Sequence, residues 1–225
     1  MTLRSATMTA PNRWRQTARR GLAAAVPRRW FMVNGPARGG TVCLTFDDGP
    51  DPGSTPAVLE TLNARQVRAT FFVQGSKAAE YPELVKRIHA EGHAIGHHSW
   101  THSHPAVTTA AELEREMVRS RAWLQATVGI DSSLFRPPHG KMSAAKVLGA
   151  WKLAQTIVLW SSDPGDLRQA SGDALLGWID AHPVQAGDIV LLHDRAPALA
   201  GALPLLIDRI RARGLGFATI PEWLQ

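Results

Sequence analysis

The chain has 225 residues, 44% hydrophobic and 20% charged, which suits one globular domain with a sizeable core or a barrel of alternating strands and helices. Its single cysteine, Cys43, excludes a disulfide framework and reads as a small core residue, and no apolar run approaches the roughly 18 residues of a membrane span. The net charge of +6 is unevenly placed: eight arginines (Arg4, Arg13, Arg15, Arg19, Arg20, Arg28, Arg29, Arg38) and no acid precede Asp47, so the remainder carries a net −2.

Residues 1–40 read as a basic N-terminal extension that closes in a linker, Gly35-Pro36-Ala37-Arg38-Gly39-Gly40, and residues 41–225 as the domain proper. Such an extension suits peripheral contact with an anionic membrane or acidic polymer, or a solubilising tail. Nucleic acid is not expected as a partner, because no reading module accompanies the charge. Arg19-Arg20 ahead of the apolar residues 21–26 looks like the start of an export signal. That stretch of about six residues is shorter than the usual seven to fifteen or so. The compartment stays open, with a lean to cytoplasmic or membrane-peripheral placement over export.

From Thr41 onward, short apolar runs alternate with helical patterns. Residues 42–46, 70–73, 94–96, 134–136, 156–159, 189–192 and 217–219 read as strands, and 55–65, 81–91, 110–127, 143–153, 171–181 and 203–213 as helices. Thr55-Pro56 supplies a cap and a first-turn proline, and Gly92 and Gly214 stand where helices stop. Alternation of this kind predicts parallel βα units. About seven strands in roughly 180 residues predict a small or incomplete barrel, with its chemistry at the C-terminal ends of the strands.

Polar residues collect just after these runs. Asp47 and Asp48 follow the first, His97, His98 and His102 the third, and Arg136, Pro137, Pro138 and His139 the fourth. Asp163 and Asp166 follow the fifth, and His193 and Asp194 the sixth. If the strands are parallel neighbours, all five clusters meet on one rim. His98 and His102 are spaced i and i+4, so on a helical turn both rings reach one ion. Two histidines and one acid leave a coordination position open, which separates a catalytic metal site from a closed structural one, and a second acid beside them can serve as a base. His97 and His104 read as supporting or surface residues.

These residues carry a resemblance. Thr45-Phe46-Asp47-Asp48-Gly49-Pro50, His98-Ser99-Trp100-Thr101-His102, Arg136-Pro137-Pro138-His139-Gly140 and Leu191-Leu192-His193 resemble, in order and spacing, the motifs of the polysaccharide deacetylases. These are the carbohydrate esterases (family 4) that share the NodB homology domain. The likeness covers residues 41–221 or so and implies a distorted (β/α)7 barrel. It implies Asp48, His98 and His102 as ligands of a divalent metal, usually zinc, and Asp47 as the base that activates water. Arg136 matches the arginine that orients and ionises that base, His193 the general acid, and Asp166 the carboxylate that raises its pKa, with Asp163 as an alternative. The backbone N–H of His139 matches the oxyanion donor, and Leu191 the wall of the acetyl pocket. Trp100, between the two histidines, is a candidate for stacking on a sugar face, with packing the equal alternative.

The implied activity is removal of acetyl groups from N-acetylglucosamine units of an oligo- or polysaccharide, with release of acetate. An O-deacetylase acting on an acetylated glycan such as xylan, and a catalytically silent carbohydrate-binding relative, are the alternatives; no base, acid or ligand position is lost here. Two positions depart from the family pattern. His139 replaces a common aromatic, and Leu167 replaces a tryptophan that often follows the fifth-strand acid.

Overall fold

The apolar runs of the sequence become buried parallel strands. The computed structural model describes residues 21, 23 and 25–225, so Arg4, Arg13, Arg15, Arg19 and Arg20 of the basic extension lie outside the described residues. Eight strands, β1 (Phe31–Met32), β2 (Thr41–Asp47), β3 (Thr70–Val73), β4 (Ala94–His97), β5 (Leu134–Phe135), β6 (Thr156–Val158), β7 (Ile189–His193) and β8 (Gly216–Phe217), form one sheet. Their order is β1-β6-β5-β4-β3-β2-β7, with β8 paired to β2 off this path, and every ladder is parallel. The sheet curls into an incomplete barrel. Its two margins meet without a ladder, through the isolated bridges Ser162 to Val190 and Asn34 to Asp188 and the Ser161 hydroxyl on Asp188.

The crossovers carry seven helices among the described residues: α1 (Thr55–Ala64), α2 (Gly75–Glu80), α3 (Pro82–Ala90), α4 (Ala110–Val128), α5 (Ala144–Lys152), α6 (Gly172–Ala181) and α7 (Leu199–Arg211). Local chemistry marks their starts. Pro56 and Pro82 sit in first turns, where a missing N–H costs nothing. Thr109 and Glu112 close a reciprocal capping box on α4, and Ser143 and Ser171 cap α5 and α6.

Period-2 alternation along β2 decides where the acids point. Val42, Leu44 and Phe46 pack into the large cluster under the helices, with Leu59, Leu203 and Leu206. Cys43 faces the other way, into the curl, with Met32, Phe72, Ile189 and Trp223. Thr45 and Asp47 share the Cys43 face, so the strand delivers a carboxylate to the inside of the barrel mouth. Cys43 is the core residue its setting predicts, its thiol pushed up to about 12 by burial.

All seven expected strands and six expected helices form, with shifted ends. The sheet also begins earlier than the apolar pattern indicates: Phe31-Met32 is too short to register as a run, yet it pairs with β6 and is buried. α2 went unread because its six residues bury only Gly75 and Ala78. α7 starts four residues before the expected position and carries Pro204 inside it, because Leu199 and Ala202 extend the buried stripe of Leu203, Leu206, Ile207 and Ile210. β8 stops at Phe217, since the Thr219 N–H turns to the Glu222 carboxylate at 2.6 Å.

One glycine is dictated by packing. A Cβ at Gly96 in β4 would lie 2.7 Å from the Phe72 ring and 2.9 Å from Leu134 Cβ. Gly96→Ala is therefore expected to destabilise the fold by about 1–3 kcal/mol through overpacking, read as a lower denaturant midpoint.

Candidate active site

Five strands end together at one mouth. Asp47 at the end of β2 pairs in register with His193 at the end of β7, and His97 at the end of β4 pairs with Val73 and Phe135. His98 and Arg136 therefore leave their strands at the same level, and the five polar clusters of the sequence converge. Four non-glycine residues of this mouth, Asp48, Ser99, His102 and His139, sit at φ between 57° and 70°. Such backbone is sparsely populated for L-residues and collects where surrounding structure enforces it.

Arg136 is fully buried. Its guanidinium donates to Asp47 Oδ1 (2.7 Å), Thr45 Oγ1 (2.7 Å) and the carbonyls of Val158 (3.2 Å) and Leu159 (3.1 Å), and it lies 4.1 Å from the centre of the Phe72 ring. Thr45 Oγ1 in turn donates to the Val190 carbonyl at 2.7 Å. Asp47 is thus oriented by one oxygen, and its other, Oδ2, lies 3.7 Å from His98 Nε2.

Beside it, Asp48 Oδ1 stands 3.5 Å from His98 Nε2 and 3.2 Å from His102 Nε2. These three atoms lie within 4.8 Å of one another. Ligands about 2.0–2.1 Å from a tetrahedral cation are spaced by about 3.3 Å, so the set fits a divalent ion. Two details strengthen the fit. Asp48 Oδ1 is buried without a hydrogen-bond partner among the described residues, a costly state for a carboxylate oxygen unless a cation meets it. His98 Nδ1 is 2.7 Å from the Arg136 carbonyl, which can only accept; the proton sits on Nδ1 and the Nε2 lone pair faces the triad. Burial, then the neighbouring His98, hold the His102 pKa below its ordinary value, which keeps that ring neutral and ready to ligate. Burial opposes charge on Asp48, but the imidazoles of His98, His102 and His193 and the Arg195 hydrogen bond outweigh it and lower its pKa.

Glu116 on α4 clamps the turn that carries the histidines. Its carboxylate accepts from the N–H groups of Trp100 (3.0 Å) and Thr101 (3.2 Å) and from Thr101 Oγ1 (2.6 Å). Trp100 packs beside this clamp: Arg119 lies 3.7 Å over its ring, and its edge abuts Gly75. His97 points into the core, stacked on Phe135, bonded to Gln155 Oε1 at 2.7 Å, and held neutral with its pKa lowered to about 4 by burial. His104 stays at the surface near His139, ring centres 5.1 Å apart.

Across the mouth, Asp166 is buried and holds His193 twice. Oδ1 lies 2.8 Å from Nδ1, and Oδ2 accepts the His193 N–H at 2.6 Å. Asp163, the alternative, spends its carboxylate on the Gly165 N–H. Burial disfavours charge on His193, but the bond to Asp166 and the charges of Asp166, Asp47 and Asp48 win, and the pKa is raised. Nδ1 donates its proton to Asp166, so Nε2 is the nitrogen left to take up and release a proton. The His139 N–H makes no hydrogen bond among the described residues, and the ring packs 4.9 Å from that of His102. Leu191 is buried on β7.

Three contributors went unread in the sequence: Glu116, Lys77, whose Nζ donates to the Asp48 carbonyl at 2.8 Å, and Arg195, which holds Asp48 Oδ2. Glu116 and Lys77 lie on helices with no motif around them. Arg195 follows the sixth cluster directly, but a single cation carries no spacing signal.

A curled parallel sheet with an Asp-His-His triad at its C-terminal mouth, flanked by the Asp47–Arg136 and Asp166–His193 pairs, has the make-up of a metal-site hydrolase of the α/β class. Residues 34–158 match the family model described as polysaccharide deacetylase. A peptidoglycan-N-acetylglucosamine deacetylase of Bacillus cereus is 34% identical over 190 residues, covering 82% of this chain and 88% of that protein. A chitooligosaccharide deacetylase of Bradyrhizobium sp. is 34% identical over 213 residues, covering 88% and 95% respectively. A solved peptidoglycan N-acetylglucosamine deacetylase superposes with a TM-score of 0.83 at 31% identity, over 87% of this chain and 93% of that one. The chain belongs to the polysaccharide deacetylase family.

Two outcomes follow from the site geometry. His102→Ala removes one of the three atoms of the candidate metal triad, so metal affinity should fall by more than the ~10–100-fold typical of losing an outer partner, measured by chelator competition; unchanged affinity would take His102 out of the triad. Asp166→Asn removes the charge that outweighs burial, so the His193 pKa should drop. Imidazole C–H shifts followed by NMR across pH report this directly, and a titration midpoint at or above the wild-type value would contradict it.

Proposed function

We propose that the chain is a metal-dependent N-deacetylase that removes acetyl groups from N-acetylglucosamine units of a peptidoglycan- or chitin-like polymer. The observation that carries this reading is the pairing of Asp47 with His193 on adjacent strand ends, flanking Asp48, His98 and His102. Relatives named for peptidoglycan and for chitooligosaccharides support the polymer class.

Asp48, His98 and His102 would hold the cation, with zinc proposed from the two imidazole nitrogens and one carboxylate oxygen. Bound there, a divalent ion polarises the acetyl carbonyl and makes a water easier to deprotonate. Asp47 Oδ2 takes the proton from the attacking water, while Arg136 on Oδ1 keeps the carboxylate ionised and aimed. The water oxygen adds to the carbonyl carbon, and the His139 N–H, free of an acceptor among the described residues, donates to the oxygen that gains negative charge. His193 Nε2 delivers a proton to nitrogen as the carbon–nitrogen bond breaks. Without it the amine would depart as an amide anion. Acetate and a free amino sugar result. Leu191 supplies apolar wall for the acetyl methyl, and Leu167, 37% exposed beside Asp166, leaves that side of the mouth wider than a tryptophan would.

The acid must be protonated to work. The raised pKa of His193 therefore extends activity toward higher pH, and the rate should fall as pH rises through that value. The arginine-rich residues ahead of the domain are proposed as an accessory that brings the catalyst to an anionic polymer or membrane surface.

The test is acetate release from chitin oligomers, peptidoglycan and acetylxylan, with chelator and with added zinc. N-acetylated substrates should be cleaved, chelator should stop turnover, and zinc should restore it. Preference for acetylxylan would replace the reading with O-deacetylation. In the same assay Asp47→Asn should lose about 10²–10⁴-fold in rate and keep its metal. Coincident metal loss would contradict the division between base and ligand.

A further inference from the structure

Asp48 offers two oxygens, and the chain treats them differently. Oδ1 faces His98 and His102, buried and without a hydrogen bond. Oδ2 accepts two bonds from one guanidinium, Arg195 Nε at 3.2 Å and Nη2 at 2.9 Å. We infer that Arg195 is a positioning residue for the metal site: it occupies the outer oxygen of Asp48 so that the carboxylate presents Oδ1 alone to the cation. This rests on the reading of Asp48, His98 and His102 as ligands.

Its place in the fold supports the role. Arg195 lies on the turn leaving β7, two residues after His193. The same turn grips the end of β2 a second time. The Asp194 carboxylate packs against Gly49, where a Cβ would come within 2.0 Å of Oδ2, and it is held by the Thr55 hydroxyl. Lys77 fixes the Asp48 carbonyl. Asp48, at φ 70°, is therefore held by its backbone, its neighbour and its outer oxygen, with Oδ1 turned to the imidazoles. Without Arg195 the carboxylate is free to rotate about χ2 or to offer both oxygens.

Two effects oppose each other. The guanidinium orients the ligand, and as a cation it repels a metal. The Arg195 side chain is 44% exposed, so water and salt screen its long-range repulsion. Asp48 is only 8% exposed, so the hydrogen bonds that orient it are little weakened by solvent. Orientation wins, and Arg195 strengthens metal binding. Lysine, with a point charge on a flexible stem, would replace only part of the contact.

The test is zinc affinity of the full chain by competition with a chromogenic chelator, for wild type, Arg195→Lys and Arg195→Met. Wild type should bind tightest, R195K should be intermediate, and R195M should lose about 10–100-fold. The melting temperature of the metal-free proteins should stay close to wild type, because the side chain is half exposed. Unchanged affinity in R195M overturns the inference, and so does tighter binding, which would make Arg195 a repelling charge only. A lower metal-free melting temperature with unchanged affinity assigns it a purely structural role and also overturns it. A wild-type chain that binds no zinc would instead remove the ligand reading beneath it.

Discussion

The buried guanidinium of Arg136 is the contact on which the mouth of the barrel depends. Four of its N–H groups reach β2 (Thr45 and Asp47), the last residue of β6 (Val158) and the residue after it (Leu159). Its own carbonyl fixes the ring of His98. Through Thr45 the network continues to the Val190 carbonyl of β7. One side chain thus ties together the strands that carry Asp47 and His193 and the turn that carries His98. Burying a charge this deeply is costly, and it is tolerable here because the opposite charge and the remaining acceptors are all in place. Removing one partner of such a pair typically costs about 3–5 kcal/mol.

From that anchor the site divides its carboxylates by partner. Asp47 is matched with Arg136 and turns its second oxygen toward His98. Asp48 is matched with Arg195 and turns its second oxygen to the imidazoles. Asp166 holds His193 with both oxygens and also accepts the Leu167 N–H. Three acids within one mouth would repel one another if each were bare; each has a cation or imidazole within hydrogen-bond distance, and so each keeps a separate task. The left-handed backbone at Asp48, His102 and His139 makes this separation possible, because it turns neighbouring side chains away from the strand alternation.

Much of the fold was legible because parallel strands buried on both faces read as continuous apolar runs, as 42–46 and 70–73 do. What escaped were elements too short to show a period: Phe31-Met32, the six residues of α2, and the first turn of α7. The candidate site was legible for a different reason. The loop residues after each strand are acids and histidines where solvated turns would do, and their order resembles one family. Loop spacing does not distinguish Asp166 from Asp163, since both follow the same strand; the resemblance favoured Asp166, and the geometry sets its carboxylate on the His193 ring. Trp100 was weighed evenly between sugar and packing, and the fold sets Arg119 over its ring.

The amino-acid order by itself determined which residue types arrive at the strand ends, and hence the chemistry available: two adjacent carboxylates, an i, i+4 histidine pair, an arginine before two prolines and a late histidine. Tertiary structure alone decided which oxygen of each carboxylate is free, which ring nitrogen carries the proton, and which distant cation, Arg195 or Arg136, serves which acid. Those choices depend on contacts between residues as many as 147 positions apart. No local pattern encodes them, because they follow from how strands and turns are stacked in space.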